Sequence, residues 1–200
     1  MSYIGTNKID KMYLGSTEIA KAYLGSNLVF QKGGGQPQQY TITLVPSSHD
    51  TTDYAYYAFI NPSYGYTNAD STTYSQLGLT RGSEGAITYA YYKFDTSAIP
   101  ANATIDSVSC TAKYSSPSTT NSNNIRVRQI QMFSGTTAKG DANSINNTGA
   151  TAYSLSVGTW TRQELSDTRI RLYAERGSRN VSSSYAFRFY GATLTITYTA

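Results

Sequence analysis

The clearest pattern in this chain is the alternation of apolar and polar residues over short runs, which is typical of half-buried β-strands. In one such run, Ile170, Leu172 and Ala174 alternate with two arginines and a tyrosine. Comparable alternation occurs at residues 40–45, 89–95, 108–114, 125–133, 153–157, 168–174 and 187–198. Clusters rich in turn-forming residues separate these runs, at residues 115–124, 134–148 and 175–184. The pattern predicts an antiparallel, jelly-roll-like β-sandwich of about eight or nine strands.

The alternation changes phase at two places, and each change predicts a β-bulge. In the last run, Phe187 and Phe189 share one face, but after Gly191 the inward set begins at Leu194. A bulge is therefore expected at Gly191 and the residue after it. A second phase change predicts a bulge near Gln129.

The first thirty residues carry a ten-residue repeat, in which Gly15 and Gly25 occupy equivalent positions. Each copy combines a glycine–hydroxyl turn signal with a short alternating run, so we expect a tight β-meander with one strand per copy. Strands this short cannot bury a core of their own. The segment 1–32 is therefore expected to pack against another copy of itself, another protein or the rest of the chain.

A glycine triplet followed by glutamines and a proline, at residues 33–39, predicts a flexible linker. It separates the N-terminal segment at 1–32 from a β-sandwich domain at 40–200, which is long enough to bury its own core.

Composition narrows the functional classes. The chain has 19 tyrosines and only 14% charged residues, and its net charge of +4 is too dispersed to predict nucleic-acid binding. The single cysteine, Cys110, lies on an alternating apolar face, so we expect a buried thiol and no intrachain disulfide. No run of 18 apolar residues and no secretory signal can be recognised, so no membrane partner is expected.

Little in the sequence indicates catalysis, and we expect neither enzymatic activity nor a required cofactor. The only histidine, His49, has serine and aspartate neighbours, but consecutive residues of an extended segment point apart and do not form a triad. Asp95 ends a strand before Thr and Ser, which predicts a turn-capping carboxylate. Asp50 and Asp53 are weak candidates for ligands of a structural calcium ion.

Aromatic and basic residues supply the ligand-binding candidates. Tyr56, Tyr64 and Tyr66 belong to a tyrosine-rich stretch, and the last two lie in a Pro/Gly loop where we expect exposure. Tyrosine suits both sugar stacking and protein interfaces. Arg169 and Arg171 share the outward face of one strand and can bind a polyanion. The alternatives are that these tyrosines only pack and that the arginines only form a solvated sheet face.

The repeat, with Tyr13-Leu14-Gly15-Ser16 followed by Tyr23-Leu24-Gly25-Ser26, resembles a short segment found in many structural proteins of tailed bacteriophages. The resemblance implies a virion-attachment segment. It assigns attachment to Tyr13, Leu14, Gly15, Ile19, Lys21, Tyr23, Leu24 and Gly25.

Two weaker resemblances cover much of the second domain. Together, the runs Asp50–Tyr54, Tyr74–Leu79 and Tyr92–Ile105 look like the opening half of jelly-roll carbohydrate-binding-like domains. The C-terminal stretch from Gly158-Thr159-Trp160-Thr161 to the run Phe189–Tyr198 is similar to the ends of phage minor structural proteins. These resemblances imply a fold and a virion location, but no set of sugar-binding residues.

The expectation is thus a non-enzymatic virion protein that docks by its N-terminus and displays a sandwich for attachment to a host-surface glycan or wall polymer. Its expected partners are other virion proteins and further copies of the chain. One alternative is a head fibre or capsid decoration protein with a mainly structural role. Another is a glycan-active enzyme.

Overall fold

The computed structural model describes residues 3–4, 7–8, 11–25, 27–31, 37–52, 59–60, 65–79, 87–116, 125–176 and 184–200. It divides the chain into two compact units, Met1–Gln39 and Tyr40–Ala200. The described elements are β-strands apart from one short helix, so the all-β prediction is confirmed. In the described part of the chain, no helix is both long enough and apolar enough to cross a membrane.

Within the first unit, the described residues form three antiparallel two-stranded sheets. Their strands are β1 (Tyr3–Ile4), β2 (Asn7–Lys8), β3 (Tyr13–Leu14), β4 (Thr17–Glu18), β5 (Lys21–Leu24) and β6 (Asn27–Gln31). The register repeats, because Ile4 pairs with Asn7, Leu14 with Thr17 and Leu24 with Asn27.

Each ten-residue copy therefore forms a hairpin, and the prediction of one strand per copy is wrong. Gly15 and Gly25 both have φ of 63°, a backbone conformation that permits a two-residue hairpin loop. The chain reverses at the glycine of each copy instead of continuing as one strand.

In the second unit, the strands that the structure describes form two antiparallel sheets. Its strands are β7 (Gln39–Leu44), β8 (Pro46–Thr52), β9 (Phe59–Ile60), β10 (Ser75–Leu79), β11 (Ile87–Phe94), β12 (Thr104–Ser115), β13 (Ile125–Ser134), β14 (Thr137–Ser144), β15 (Thr151–Leu155), β16 (Thr168–Arg176) and β17 (Ser184–Thr199). The first sheet has the order β15-β12-β17-β10-β9, with β7 also on β17. The second sheet has the order β14-β13-β16-β11-β8.

From β10 onward, the chain crosses to the other sheet at every step except the β13–β14 hairpin. The result places β15-β12-β17-β10 opposite β14-β13-β16-β11, which is a jelly-roll arrangement and confirms the predicted sandwich. Strand β14 lies inside the 134–148 stretch that the sequence predicted as a connection, so that prediction is wrong. It is an edge strand with few β-branched or aromatic residues, and this removes the usual strand signal.

The core lies between the two sheets and contains the inward residues of both. Tyr92, Tyr114 and Phe189 are among its largest fully buried side chains. Cys110 is buried as predicted, and burial raises the pKa of its thiol to about 12. A thiol in this environment stays protonated and unreactive at neutral pH.

The predicted bulge at Gly191 is confirmed. Lys113 pairs with Gly191 and Tyr114 with Phe189, so Tyr190 has no opposite residue on β12. The bulge predicted near Gln129 is misplaced, since Gln129 pairs regularly with Tyr173. Irregularities in β13 fall on either side of that position, between residues 125 and 127 and between 130 and 132.

Two short polar motifs shape the connections between strands. The backbone N–H of Ser97 donates to Asp95 Oδ1 at 2.9 Å, which confirms the predicted turn-capping aspartate. Before β16, the helical turn α1 (Arg162–Leu165) begins with a capping box. In it Glu164 N–H donates to Thr161 Oγ1 at 3.3 Å, and Thr161 N–H donates to Glu164 Oε2 at 2.8 Å.

Candidate ligand-binding face

The outward side of the second sheet gathers tyrosines, arginines and glutamines on neighbouring strands. On β11 and β16, Tyr92 and Leu172 point into the core and are fully buried, so the alternate residues point outward. The outward residues form three cross-strand rows: Tyr89–Tyr173–Gln129, Tyr91–Arg171–Gln131 and Lys93–Arg169–Phe133. We call these nine residues the tyrosine–arginine face.

Aromatic rings on this face are packed against one another and against cations. Tyr89 and Tyr173 stack with their ring centroids 5.9 Å apart and their planes at 24°. The Arg171 guanidinium lies 4.2 Å from the centroid of Phe133 and 5.3 Å from that of Tyr173. This cover explains why Phe133 is only 4% exposed although it points outward. Such stacking holds the guanidinium plane in a fixed orientation.

The cations of the face differ in their partners. Arg169 donates to both carboxylate oxygens of Asp167, its Nε lying 3.1 Å from Oδ1. Lys93 Nζ lies 3.4 Å from the carboxylate of Asp50. Arg171, in contrast, has no carboxylate partner among the described residues, and its Nη2 donates to Gln131 Oε1 at 3.3 Å.

The guanidinium of Arg171 therefore carries a positive charge that no carboxylate of the described residues pairs with. Its Nε is buried and has no hydrogen-bond partner in the described part of the chain. Gln131, which accepts from it, is held in place because its own amide donates to the Gly140 carbonyl at 2.8 Å. A guanidinium fixed in this way can pair with a carboxylate, phosphate or sulfate group.

Tyr173 adds a neutral hydroxyl next to this charge. Burial raises the pKa of Tyr173, and the nearby carboxylate of Glu175 acts in the same direction. The Tyr173 hydroxyl donates to Glu175 Oε2 at 3.4 Å. The face thus offers flat rings for stacking beside one uncompensated cation, which is a combination suited to an anionic sugar polymer.

The predicted ligand-binding residues are only partly brought together. Arg169 and Arg171 share the tyrosine–arginine face, whereas Tyr56 and Tyr64 lie outside the described residues. The expectation that Tyr66 is an exposed loop residue is corrected: it is half-buried, packs against the core and meets Tyr92 edge-on at 5.9 Å. Its hydroxyl is hydrogen-bonded to His49 Nδ1.

The calcium candidates do not form a visible ligand cluster. Asp50 faces Lys93, and Asp53 lies outside the described residues. Across the described ranges, no three His, Cys, Asp or Glu side chains converge on a point that could hold a metal ion.

In the N-terminal unit, the predicted attachment residues include four exposed apolar side chains. Tyr13 is 52% exposed and Leu14 78%, and the equivalent residues of the next copy, Tyr23 and Leu24, are 57% and 74% exposed. Successive residues of a strand point to opposite faces, so each hairpin shows an apolar side chain on both faces. Of the other predicted attachment residues, Gly15, Lys21 and Gly25 are exposed and Ile19 is half-buried.

Sequence reasoning missed Tyr89, Tyr91, Tyr173 and Gln131 as parts of the face. In the alternating run at 89–95, Tyr92 and Phe94 share one face, so the sequence places Tyr89 and Tyr91 together on the opposite face. What the sequence does not reveal is that β11 and β16 are neighbours, because they are separated by more than 70 residues along the chain.

Comparison with known proteins adds little. The chain matches no protein-family profile and no curated protein sequence. Among solved structures, an arabinose-bound α-L-arabinofuranosidase (MgGH51) has a TM-score of 0.41 and 11% identity, over 76% of this chain and 24% of that one. Infectious bursal disease virus, Gx strain, has a TM-score of 0.23 and 9% identity, over 89% of this chain and 42% of that one. The chain spans about a quarter of the glycosidase, and neither similarity supports a functional assignment.

Proposed function

We propose that this chain is a non-enzymatic structural protein of a tailed-phage virion. It docks through its N-terminal hairpins onto other virion proteins or further copies of itself, and its sandwich binds an anionic polymer of the host surface. The observation that carries the proposal is the pair of exposed Tyr–Leu dipeptides at equivalent positions of successive hairpins.

The hairpins need a partner for a physical reason. A two-stranded hairpin is marginally stable in water, and the described ones are only two to five residues per strand. Their exposed tyrosines and leucines lie on both faces, so neighbours on both sides are needed to remove them from water. Because the contact recurs every ten residues in the same register, it suits a partner surface that also repeats.

The tyrosine–arginine face supports the display half of the proposal. Arg171 provides a fixed guanidinium for a phosphate or carboxylate of the polymer, and the tyrosines provide stacking surfaces. A single site of this kind binds weakly, but many copies on one particle would bind by avidity.

Docking is tested in virions of the phage that encodes the chain. Replacement of Tyr13, Leu14, Tyr23 and Leu24 by serine is expected to remove the full-length chain from purified particles, measured by quantitative immunoblotting. Thr17→Ala, at an exposed polar position of the same hairpins, is the control and should be incorporated normally. Normal incorporation of the four-serine chain would overturn the docking proposal.

Ligand binding is tested separately with two variants of equal charge. Arg171→Gln should reduce binding of purified chain to isolated host wall polymer about ten-fold, since it removes the uncompensated guanidinium. Arg169→Gln removes the same charge from a residue already paired with Asp167 and should change binding less than three-fold. Equal losses of binding by the two variants would indicate non-specific charge attraction and would contradict a specific role for Arg171. Normal incorporation without any host binding by the wild-type chain would favour a capsid decoration role.

A further inference from the structure

We propose that an open cleft between the edge strands β14 and β15 is a second binding site, which takes a neutral saccharide unit. The cleft has a volume of about 390 Å³ and is lined by Tyr114, Asn143, Ser144, Asn146, Asn147 and Tyr153. That volume lies within the range of small-molecule sites.

The lining has a chemical character unlike that of the tyrosine–arginine face. It contains no charged side chain, but three amides, one serine hydroxyl and two tyrosines. Each amide has both donors and an acceptor, which can pair with adjacent hydroxyls of a sugar that also donate and accept. Burial raises the pKa of Tyr114, so its hydroxyl remains a neutral group at physiological pH. A neutral polyhydroxylated ligand fits this set better than an ion.

The aromatic wall of the cleft is rigid. Tyr114 and Tyr153 stack with ring centroids 4.8 Å apart and planes at 25°. Tyr114 is 2% exposed and is anchored in the core, whereas Tyr153 is half-buried and lies nearer the solvent. Tyr153, held in place by the buried Tyr114 ring, therefore presents a fixed, flat apolar surface against which the C–H face of a sugar ring can pack.

The amide wall is also formed before any ligand arrives. Ile145 is fully buried beneath it, and its N–H donates to the Arg128 carbonyl at 3.0 Å. Ser116 N–H donates to the Asn147 carbonyl at 2.7 Å, and the Asn147 amide donates to the Tyr114 carbonyl at 3.3 Å. Binding would thus cost little ordering of the chain.

Hydrogen-bonding capacity remains for a ligand. Asn146 is exposed, and within the described ranges its amide makes no hydrogen bond. Asn143 has less capacity to spare, because its amide donates to the Ser154 carbonyl at 3.5 Å and its side chain is also hydrogen-bonded to Tyr114. The amide of Asn146 is therefore the group we assign to a sugar hydroxyl.

The test uses the full-length chain labelled with ¹⁵N and titrated with D-glucose, D-galactose, D-mannose or N-acetyl-D-glucosamine. For at least one sugar, the side-chain amide resonances of Asn143, Asn146 and Asn147 should shift and saturate, with a dissociation constant in the millimolar range. D-glucuronic acid, the charged probe, should shift the resonances of Arg171 and Tyr173 instead.

Two asparagine variants locate the effect. Asn146→Ala should weaken neutral-sugar binding about five-fold or more, because one hydrogen-bonding amide is lost at an exposed position that does not support the fold. Asn102→Ala is the control; Asn102 precedes β12, whereas the cleft lies at the other end of that strand. Absence of saturable shifts up to ~100 mM of all four sugars, or equal binding by Asn146→Ala, would overturn the proposal. Either result leaves the docking and Arg171 proposals standing, since neither uses the cleft.

Discussion

Gly191 shows how one residue joins a strand to a distant loop. Its φ of 149° lies in a region that side chains rarely adopt. An added Cβ would also collide with the backbone carbonyls of Thr67 and Asn68. The approach is close because Ala192 N–H donates to the Thr67 carbonyl at 2.9 Å. The bulge therefore lets the loop before β10 bond directly to β17.

Gly191→Ala is expected to lower the free energy of unfolding by about 2–4 kcal/mol, from backbone strain together with overpacking. Denaturant unfolding of the purified chain measures this change. Gly149→Ala is the control, because no atom lies within 4 Å of the Cβ it would add, and we expect a change below about 0.5 kcal/mol. Equal stability of the two variants would mean that the contact with Thr67 does not constrain the fold.

At the residue scale, the sequence predicts several local features but not the distant contacts that cause them. The phase change at Gly191 was readable from the alternation, but the loop that forbids a side chain there was not. Likewise, the outward direction of Arg171 was readable, whereas its lack of a carboxylate partner depends on where Asp167 and Asp50 lie. The face of the strand to which a side chain points follows from the local alternation. The residues that it contacts from distant parts of the chain do not.

At the scale of elements, the short helix α1 links β14 to the start of β16. Lys139 Nζ on β14 lies 2.8 Å from Glu164 Oε1, and Ser134 Oγ donates to the Glu164 carbonyl at 2.8 Å. The bond from Lys139, followed by the capping bond from Thr161 N–H, lowers the pKa of Glu164 to about 2. The Glu164 carboxylate thus accepts the capping hydrogen bond of α1 and also pairs with Lys139 on the edge strand β14.

This arrangement predicts a specific acid dependence. Because the pKa of Glu164 is lower in the folded chain than its ordinary value of 4.5, its contribution to stability is complete above about pH 4.5. It is lost as the pH falls toward 2. Glu164→Gln keeps a capping acceptor but removes the charge, so the difference in stability from wild type should shrink over that interval. The side chains are partly exposed, so the difference at pH 7 should be only a few tenths to about 1 kcal/mol.

Urea unfolding of both chains at pH 7, 4.5 and 2.5 measures this dependence. Gln163→Glu is the control, because it changes the charge at the residue next to Glu164 without changing the capping carboxylate. Its difference in stability from wild type should not show the same dependence on pH. A difference between wild type and Glu164→Gln that is independent of pH would contradict the assigned role of the charge.

Strands differ in how far the sequence predicts them. Central strands such as β16 and β17 alternate clearly because one side faces a buried core. The edge strand β14 does not, since its pattern is set by partial exposure on both sides. The hairpin repeat was recognised as a repeat, but its topology depends on the φ of two glycines, which spacing alone does not fix.

At the scale of the whole molecule, the described hydrophobic core belongs to the second unit. Its fully buried members run from Leu77 to Ile196. Deletion of residues 1–32 is therefore expected to shift the thermal unfolding midpoint of the remaining chain by less than about 2 °C, measured by circular dichroism. The truncated chain should nevertheless be absent from particles. A large loss of stability would show that the N-terminal segment packs on its own sandwich, which was one of the alternatives for this segment.

The most direct measurement of docking is the accessibility of a hairpin thiol in assembled particles. Cys110 is 2% exposed and should not react with maleimide, so all labelling of a variant comes from the cysteine that was introduced. Thr17→Cys places it opposite Leu14 without removing an apolar contact, and Ala98→Cys supplies an exposed position in the second unit. Both should react equally in the free chain. In purified virions, docking predicts that Thr17→Cys is protected while Ala98→Cys still reacts; equal labelling of both in the particle would contradict it.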